Sequence, residues 1–174
     1  MFTIICNKSN MADVECVFES MTGKGSIYIS NFAAAANVPL LHSIYHPNPE
    51  LGIRAILSVA RSGRLDHSKD DIPLYLYIPA QDYAEYELYR HFNQTFEFID
   101  AARKQTNVLV HCMAGVSRSV TTVMAYLLKK YKCSLSEVIK MVQRKRHKVH
   151  PSTCRSTQIK DSCNNLRCMP NRKD

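Results

Sequence analysis

The run Val108-Leu109-Val110-His111 constrains the fold of this chain more than any other feature. Successive side chains of a strand point to opposite faces. Three consecutive branched apolar residues therefore put apolar groups on both sides of a sheet, and both sides need cover. Strands of that kind belong to sheets with helices on each face, at least partly parallel.

The rest of the pattern agrees. Ser26-Ile27-Tyr28-Ile29, Arg54-Ala55-Ile56-Leu57-Ser58-Val59 and Leu74-Tyr75-Leu76-Tyr77-Ile78 are short runs rich in branched or aromatic side chains. Helical spacing alternates with them. Leu88, Phe92, Phe96 and Ile99 line one face of a helix expected over Ala84 to Gln105. Val120, Val123, Met124, Leu127, Leu128 and Tyr131 do the same from Arg118 to Tyr131. Ser134-Leu135-Ser136-Glu137 matches a capping box that opens a third helix, with Leu135, Val138, Ile139 and Val142 as its buried stripe. The expectation is an α/β fold with a mostly parallel central sheet of four to five strands flanked by helices. After Pro151 the pattern fades. The chain divides into an N-terminal segment (1–25), one domain (26–151) and a basic tail (152–174), poorly ordered or one weakly held helix.

A length of 174 residues fits one domain, and 45% hydrophobic residues suffice for a core. No run approaches the roughly 20 apolar residues of a membrane span. The opening residues lack the features of a secretory leader, so neither a secreted nor a membrane-spanning protein is expected. The seven cysteines are odd in number and form no CxxC pair, which points away from a disulfide framework and from a metal cage. Reduced thiols in the cytoplasm or nucleus are expected. The net charge is −2 over residues 1–128 and +10 over 129–174. The densest run, Arg144-Lys145-Arg146-His147-Lys148, reads as a solvated helix end that suits the helix dipole. A nuclear address, a phosphate-rich docking face or a nucleic-acid patch are its other readings.

The chemistry sits after the constraining strand, in His111-Cys112-Met113-Ala114-Gly115-Val116-Ser117-Arg118-Ser119. A short loop containing Gly115 can turn successive backbone N–H groups inward as an anion nest. The helix from Arg118 aims its positive end at the same point, and the Arg118 guanidinium can grip two oxygens of one phosphate. Such a site suits a tetrahedral dianion. The same field favours the Cys112 thiolate, a nucleophile placed for in-line attack on phosphorus. Asp82, between a strand and a helix, has two readings on position alone: a helix N-cap or a general acid. Ser119 could serve only local capping.

His-Cys-x5-Arg-Ser resembles the signature of the dual-specificity branch of the protein tyrosine phosphatase superfamily. The resemblance runs from about Ser26 to Ser152 and includes Ile27-Tyr28-Ile29-Ser30-Asn31, Ile56-Leu57-Ser58-Val59, Ile78-Pro79-Ala80-Gln81-Asp82 and Ala125-Tyr126-Leu127-Leu128. It implies an atypical, single-domain phosphatase acting on phosphorylated proteins, without cofactor or metal. It implies Cys112 as nucleophile, and Met113, Ala114, Gly115, Val116 and Ser117 as phosphate ligands through backbone N–H groups, together with Arg118. It further implies Asp82 as the acid, Ser119 as a donor to the departing thiolate and His111 as a support of the loop. Uncharged Met113, Ala114 and Val116 count against a phosphoinositide substrate. A non-catalytic phosphate-binding scaffold and an RNA 5′-phosphatase, with the basic tail supplying the nucleic-acid contact, are the competing readings. The pattern leaves phosphotyrosine versus phosphoserine and phosphothreonine preference and the oligomeric state open. The family's closing helix carries a Phe; none follows Pro151 here, and that helix is expected to be weak or missing.

Overall fold

A computed structural model describes residues 13–20, 24–44, 52–149 and 155–161. Five strands form one sheet: β1 (Val14–Phe18), β2 (Ile27–Ser30), β3 (Ile53–Ala60), β4 (Leu74–Pro79) and β5 (Asn107–His111). Their spatial order is β1-β2-β5-β3-β4. Only β1 runs antiparallel, against β2; the other three pairings are parallel. The expected architecture is therefore present, with β5 at the centre between β2 and β3.

Both faces of β5 are covered. Val108 and Val110 join a core built with helices α3 (Phe92–Ala102), α4 (Arg118–Tyr131) and α5 (Leu135–Lys145). Leu109 joins a smaller core on the opposite face, with Ala34 and Ala35 of α1 (Phe32–Ala36) and Leu41 of α2 (Val38–Ser43). Helix α4 is buried from Arg118 through Leu128 because it runs between the sheet and its neighbours α3 and α5. Such all-round burial marks a central helix, and each large apolar side chain it buries contributes roughly 1.5–3 kcal/mol. At the start of α5 the Ser134 hydroxyl accepts from the Glu137 N–H, and the Glu137 carboxylate accepts from the Ser134 N–H, the capping box anticipated.

Four expectations need correction. Residues 14–18, left in a segment ahead of the domain, are an edge strand of the sheet. The long helix expected over Ala84 to Gln105 is a 3-10 turn, Leu88–His91, leading into α3, which ends at Ala102. Residues 84–87 are not helical: the Ala84 carbonyl accepts from the Gln158 side chain, and the Tyr86 carbonyl accepts from the side chains of Gln158 and Arg155 and from the Leu88 N–H two residues on. Those side chains come from residues 155–161, which are helical, with Arg155 and Ile159 buried. A closing helix is thus present there without its Phe; the remainder of 152–174 lies outside the described residues. Finally, the basic run is not simply solvated. Arg146 is fully buried, and Lys145 and Lys148 pair with Glu19 and Asp13. No helix among the described residues is long and apolar enough to cross a membrane.

Candidate active site

The parallel strands β2, β3, β4 and β5 end on the same side of the sheet, and the loop after β5 begins there. Ligand sites of parallel sheets lie outside the carboxyl ends of their strands. Residue 115 adopts φ +68°, which glycine takes without strain. A Cβ there would also come within 2.6 Å of the Ser30 carbonyl oxygen, so only glycine lets the loop lie against β2. Two bonds hold the outside of the loop: the Phe32 N–H donates to the Met113 carbonyl at 3.1 Å, and Arg146 Nε donates to the Gly115 carbonyl at 2.8 Å.

Inside the loop lies the Cys112 sulfur, with the residue only 2% exposed. It accepts from the Gly115 N–H at 3.2 Å and from the Ser119 hydroxyl at 3.3 Å. Burial pushes this thiol's pKa up, but the Ser119 hydroxyl and N–H, the Gly115 N–H and the Arg118 charge outweigh burial, and the net shift is downward. Cys16 supplies the contrast: there burial and the Glu19 charge outweigh Lys145, the Phe18 N–H and the Tyr28 hydroxyl, and push the thiol up to about 11. The lowered pKa at 112 therefore follows from what surrounds the sulfur.

Arg118, also 2% exposed, donates through one terminal amino group to the Ala80 carbonyl at 2.8 Å and through the other to Asp82 Oδ2 at 2.9 Å. Its Nε is buried and has no hydrogen-bond partner among the described residues. A buried guanidinium N–H without an acceptor is costly, and an oxyanion in the ring would accept from it. Asp82 is not the N-cap of the following helix, which begins at Leu88 with Glu87 before it. Its side chain is 60% exposed and turned to Arg118. Ser119 likewise spends its hydroxyl on the sulfur and not on local capping.

His111 is fully buried. Its Nδ1 lies 3.3 Å from the Cys112 carbonyl and its Nε2 lies 2.6 Å from the Ser58 hydroxyl. The carbonyl can only accept, so Nδ1 carries the proton and Nε2 accepts from Ser58. Burial pushes the imidazole pKa down to about 4, so the ring is neutral at neutral pH. A chain of bonds from the Leu65 N–H through the Tyr75 and Ser58 hydroxyls fixes its orientation.

The fold thus gathers Cys112, Gly115, Arg118, Ser119 and Asp82 at one point. Met113 and Ala114 are exposed, and Val116 and Ser117 are half-buried. The sequence reading missed Arg146 and its partner Glu15, whose carboxylate accepts from Arg146 at 2.6 Å. One signal was available: Arg146 continues the four-residue spacing of buried Val138 and Val142. The charge run around it concealed that register. No group of three or more His, Cys, Asp or Glu among the described residues is placed to hold a metal ion.

Comparison with known proteins places the chain in a family. The family model for the dual specificity phosphatase catalytic domain matches residues 40–162. The chain is 36% identical over 143 residues to human dual specificity protein phosphatase 9, covering 82% of this chain and 35% of that protein. It is 35% identical over 136 residues to Arabidopsis thaliana dual specificity protein phosphatase 1, covering 78% of this chain and 64% of that protein. It thus spans about a third to two-thirds of the length of these two relatives. The fold is similar to crystal structures of human DUSP28 (TM-score 0.74, 22% identity, 90% of this chain and 96% of that one) and of the Yvh1 phosphatase domain from Chaetomium thermophilum (TM-score 0.72, 22% identity, 91% and 99%).

Proposed function

The chain belongs to the dual specificity phosphatase family, and from that premise we propose that it hydrolyses phosphotyrosine and phosphoserine or phosphothreonine in proteins through a phosphocysteine intermediate on Cys112. The observation that carries this reading is a buried sulfur receiving two hydrogen bonds, beside a buried guanidinium with an unspent N–H.

In the first step the Cys112 thiolate attacks phosphorus. The bond from phosphorus to the ester oxygen breaks, and Asp82 gives that oxygen its proton. Charge on the three equatorial oxygens is stabilised by loop N–H groups and by Arg118. A bound phosphate competes with Asp82 for the Arg118 amino group, which frees the carboxyl to turn toward the leaving oxygen. In the second step Asp82 takes a proton from water, the resulting hydroxide attacks phosphorus, and the phosphorus–sulfur bond breaks. The Ser119 hydroxyl supports the departing thiolate, and inorganic phosphate leaves. His111 holds the Cys112 carbonyl and moves no proton. Chemistry of this kind needs a reduced thiol, in keeping with work in the cytoplasm or nucleus.

Hydrolysis of a phosphopeptide tests the reading. Cys112→Ser is expected to lose at least about a thousandfold in turnover and still bind the phosphopeptide. Asp82→Asn is expected to lose about a hundredfold with the same peptide. Binding without turnover by the unaltered protein would identify a scaffold instead of an enzyme. Selective release from an RNA 5′ end would replace the protein substrate with a nucleic acid.

A further inference from the structure

Arg146 does more than fill space beside α5. It is fully buried although it follows directly on the last turn of that helix. Its Nε donates to the Gly115 carbonyl at 2.8 Å, and one terminal amino group donates to Glu15 of β1 at 2.6 Å. The other amino group has no hydrogen-bond partner among the described residues and lies 2.6 Å from where a Cβ at Gly115 would sit. A guanidinium therefore sits directly behind the loop that surrounds the Cys112 sulfur.

The consequence comes from peptide geometry. In a trans peptide the C=O and the following N–H point in opposite directions, and all described peptide bonds are trans. Tying the Gly115 carbonyl to Arg146 thus turns the Val116 N–H away from Arg146, into the ring. The Phe32 N–H acts in the same way on the Met113 carbonyl and so on the Ala114 N–H. Without its acceptor-facing partner, the Gly115–Val116 peptide would be free to rotate and present an oxygen to the anion.

We propose that Arg146, anchored by Glu15, is a positioning residue of the anion loop: it fixes the Gly115–Val116 peptide so that the Val116 N–H faces bound phosphate. Arg146 acts through the loop and touches no reacting atom. The edge strand β1 thereby becomes part of the site's support, although it contributes no group to the chemistry. This inference rests on the Cys112 loop being the phosphate site of the proposed enzyme.

Protection of Cys112 from iodoacetamide by inorganic phosphate, read by mass spectrometry of the Cys112 peptide, measures the ring directly and needs no turnover. Arg146→Met keeps the apolar stem and removes every donor. It is expected to need about tenfold more phosphate for half-protection, the loss of a charge-assisted hydrogen bond network. It should also move Cys112 alkylation to higher pH. Glu15→Gln, at a residue with a partly exposed side chain, is expected to raise the phosphate requirement about threefold in the same direction. A purely structural role would lower the melting temperature and leave phosphate protection and the alkylation profile unchanged; that result in Arg146→Met overturns the proposal. Should Arg146→Met lack a cooperative melt, unchanged phosphate protection in Glu15→Gln overturns it instead. If the unaltered protein binds phosphate but leaves phosphopeptides intact, the enzymatic reading fails and this inference stands. If it turns them over and both variants bind phosphate as it does, only this inference fails.

Discussion

Cys112 is buried and Cys16 half-buried, and their thiols shift in opposite directions because the donors around Cys112 outweigh burial while those around Cys16 do not. The Ser119 hydroxyl is foremost among the groups that lower the Cys112 pKa. Ser119→Ala is therefore expected to shift the pH midpoint of Cys112 alkylation upward, toward the ordinary thiol range; an unmoved midpoint would show that the loop amides and Arg118 suffice. His111 has a consequence for stability. Its pKa is about 4 in the fold against an ordinary 6.5. Between those values the unfolded chain binds more protons, so this contribution is complete above pH 6.5 and is lost as pH falls toward 4. The amount is on the order of 3 kcal/mol. Urea midpoints should fall from pH 7 to pH 5 in the unaltered protein and stay flatter in His111→Gln. A wild-type midpoint constant over that range would contradict a histidine held neutral. Both residues were legible in the signature itself, since strand, loop and helix follow one another within a dozen positions and leave little freedom in where the sulfur points.

Element by element, legibility followed local regularity. Helix α4 spans the residues its apolar spacing indicates, and α5 starts at its capping box, because in each case one stretch of chain holds the whole signal. Strand β1 escaped notice because a register shift between Cys16 and Phe18 breaks the alternation a strand should show. Helices α1 and α2 are five and six residues long, too short for a period. They are held by the Asn31 and Asn37 side chains, which cap the Ala34 and Leu40 N–H groups. The end of α4 offers a prediction. Its C-cap, Lys132, takes the left-handed conformation with φ 53°, where a side chain is strained and glycine is favoured. Lys132 is exposed. Lys132→Gly is expected to stabilise by about 0.5–1 kcal/mol, a rise in melting temperature of roughly 1–4 °C. A lower melting temperature would mean that the lysine side chain makes a contribution larger than the strain it causes.

At the scale of the whole molecule, the parts that escaped sequence reading are pairs distant in the chain. Arg146 reaches 131 positions back to Glu15, and Arg155 reaches 72 positions back to the Tyr83 carbonyl. No periodicity reports such contacts, and Arg146 looked like surface charge. Arg155 donates to the carbonyls of Tyr83 and Tyr86 at 3.2 Å each, and Gln158 to those of Ala84 and Tyr86. Arg118 holds the Ala80 carbonyl from the other side. The segment that carries Asp82 is thus suspended between α4 and the helical residues 155–161. An acid matters most when the leaving oxygen is a poor one, such as a serine alkoxide, and least for an activated aryl phosphate. Arg155→Met removes the donors and keeps an apolar stem in the buried space. Turnover of a phosphoserine peptide is expected to fall about tenfold, a fraction of the full general-acid effect, while turnover of p-nitrophenyl phosphate changes little. Equal losses on both substrates would instead trace Arg155 to the anion loop or to overall stability, because only the acid step distinguishes one leaving group from the other.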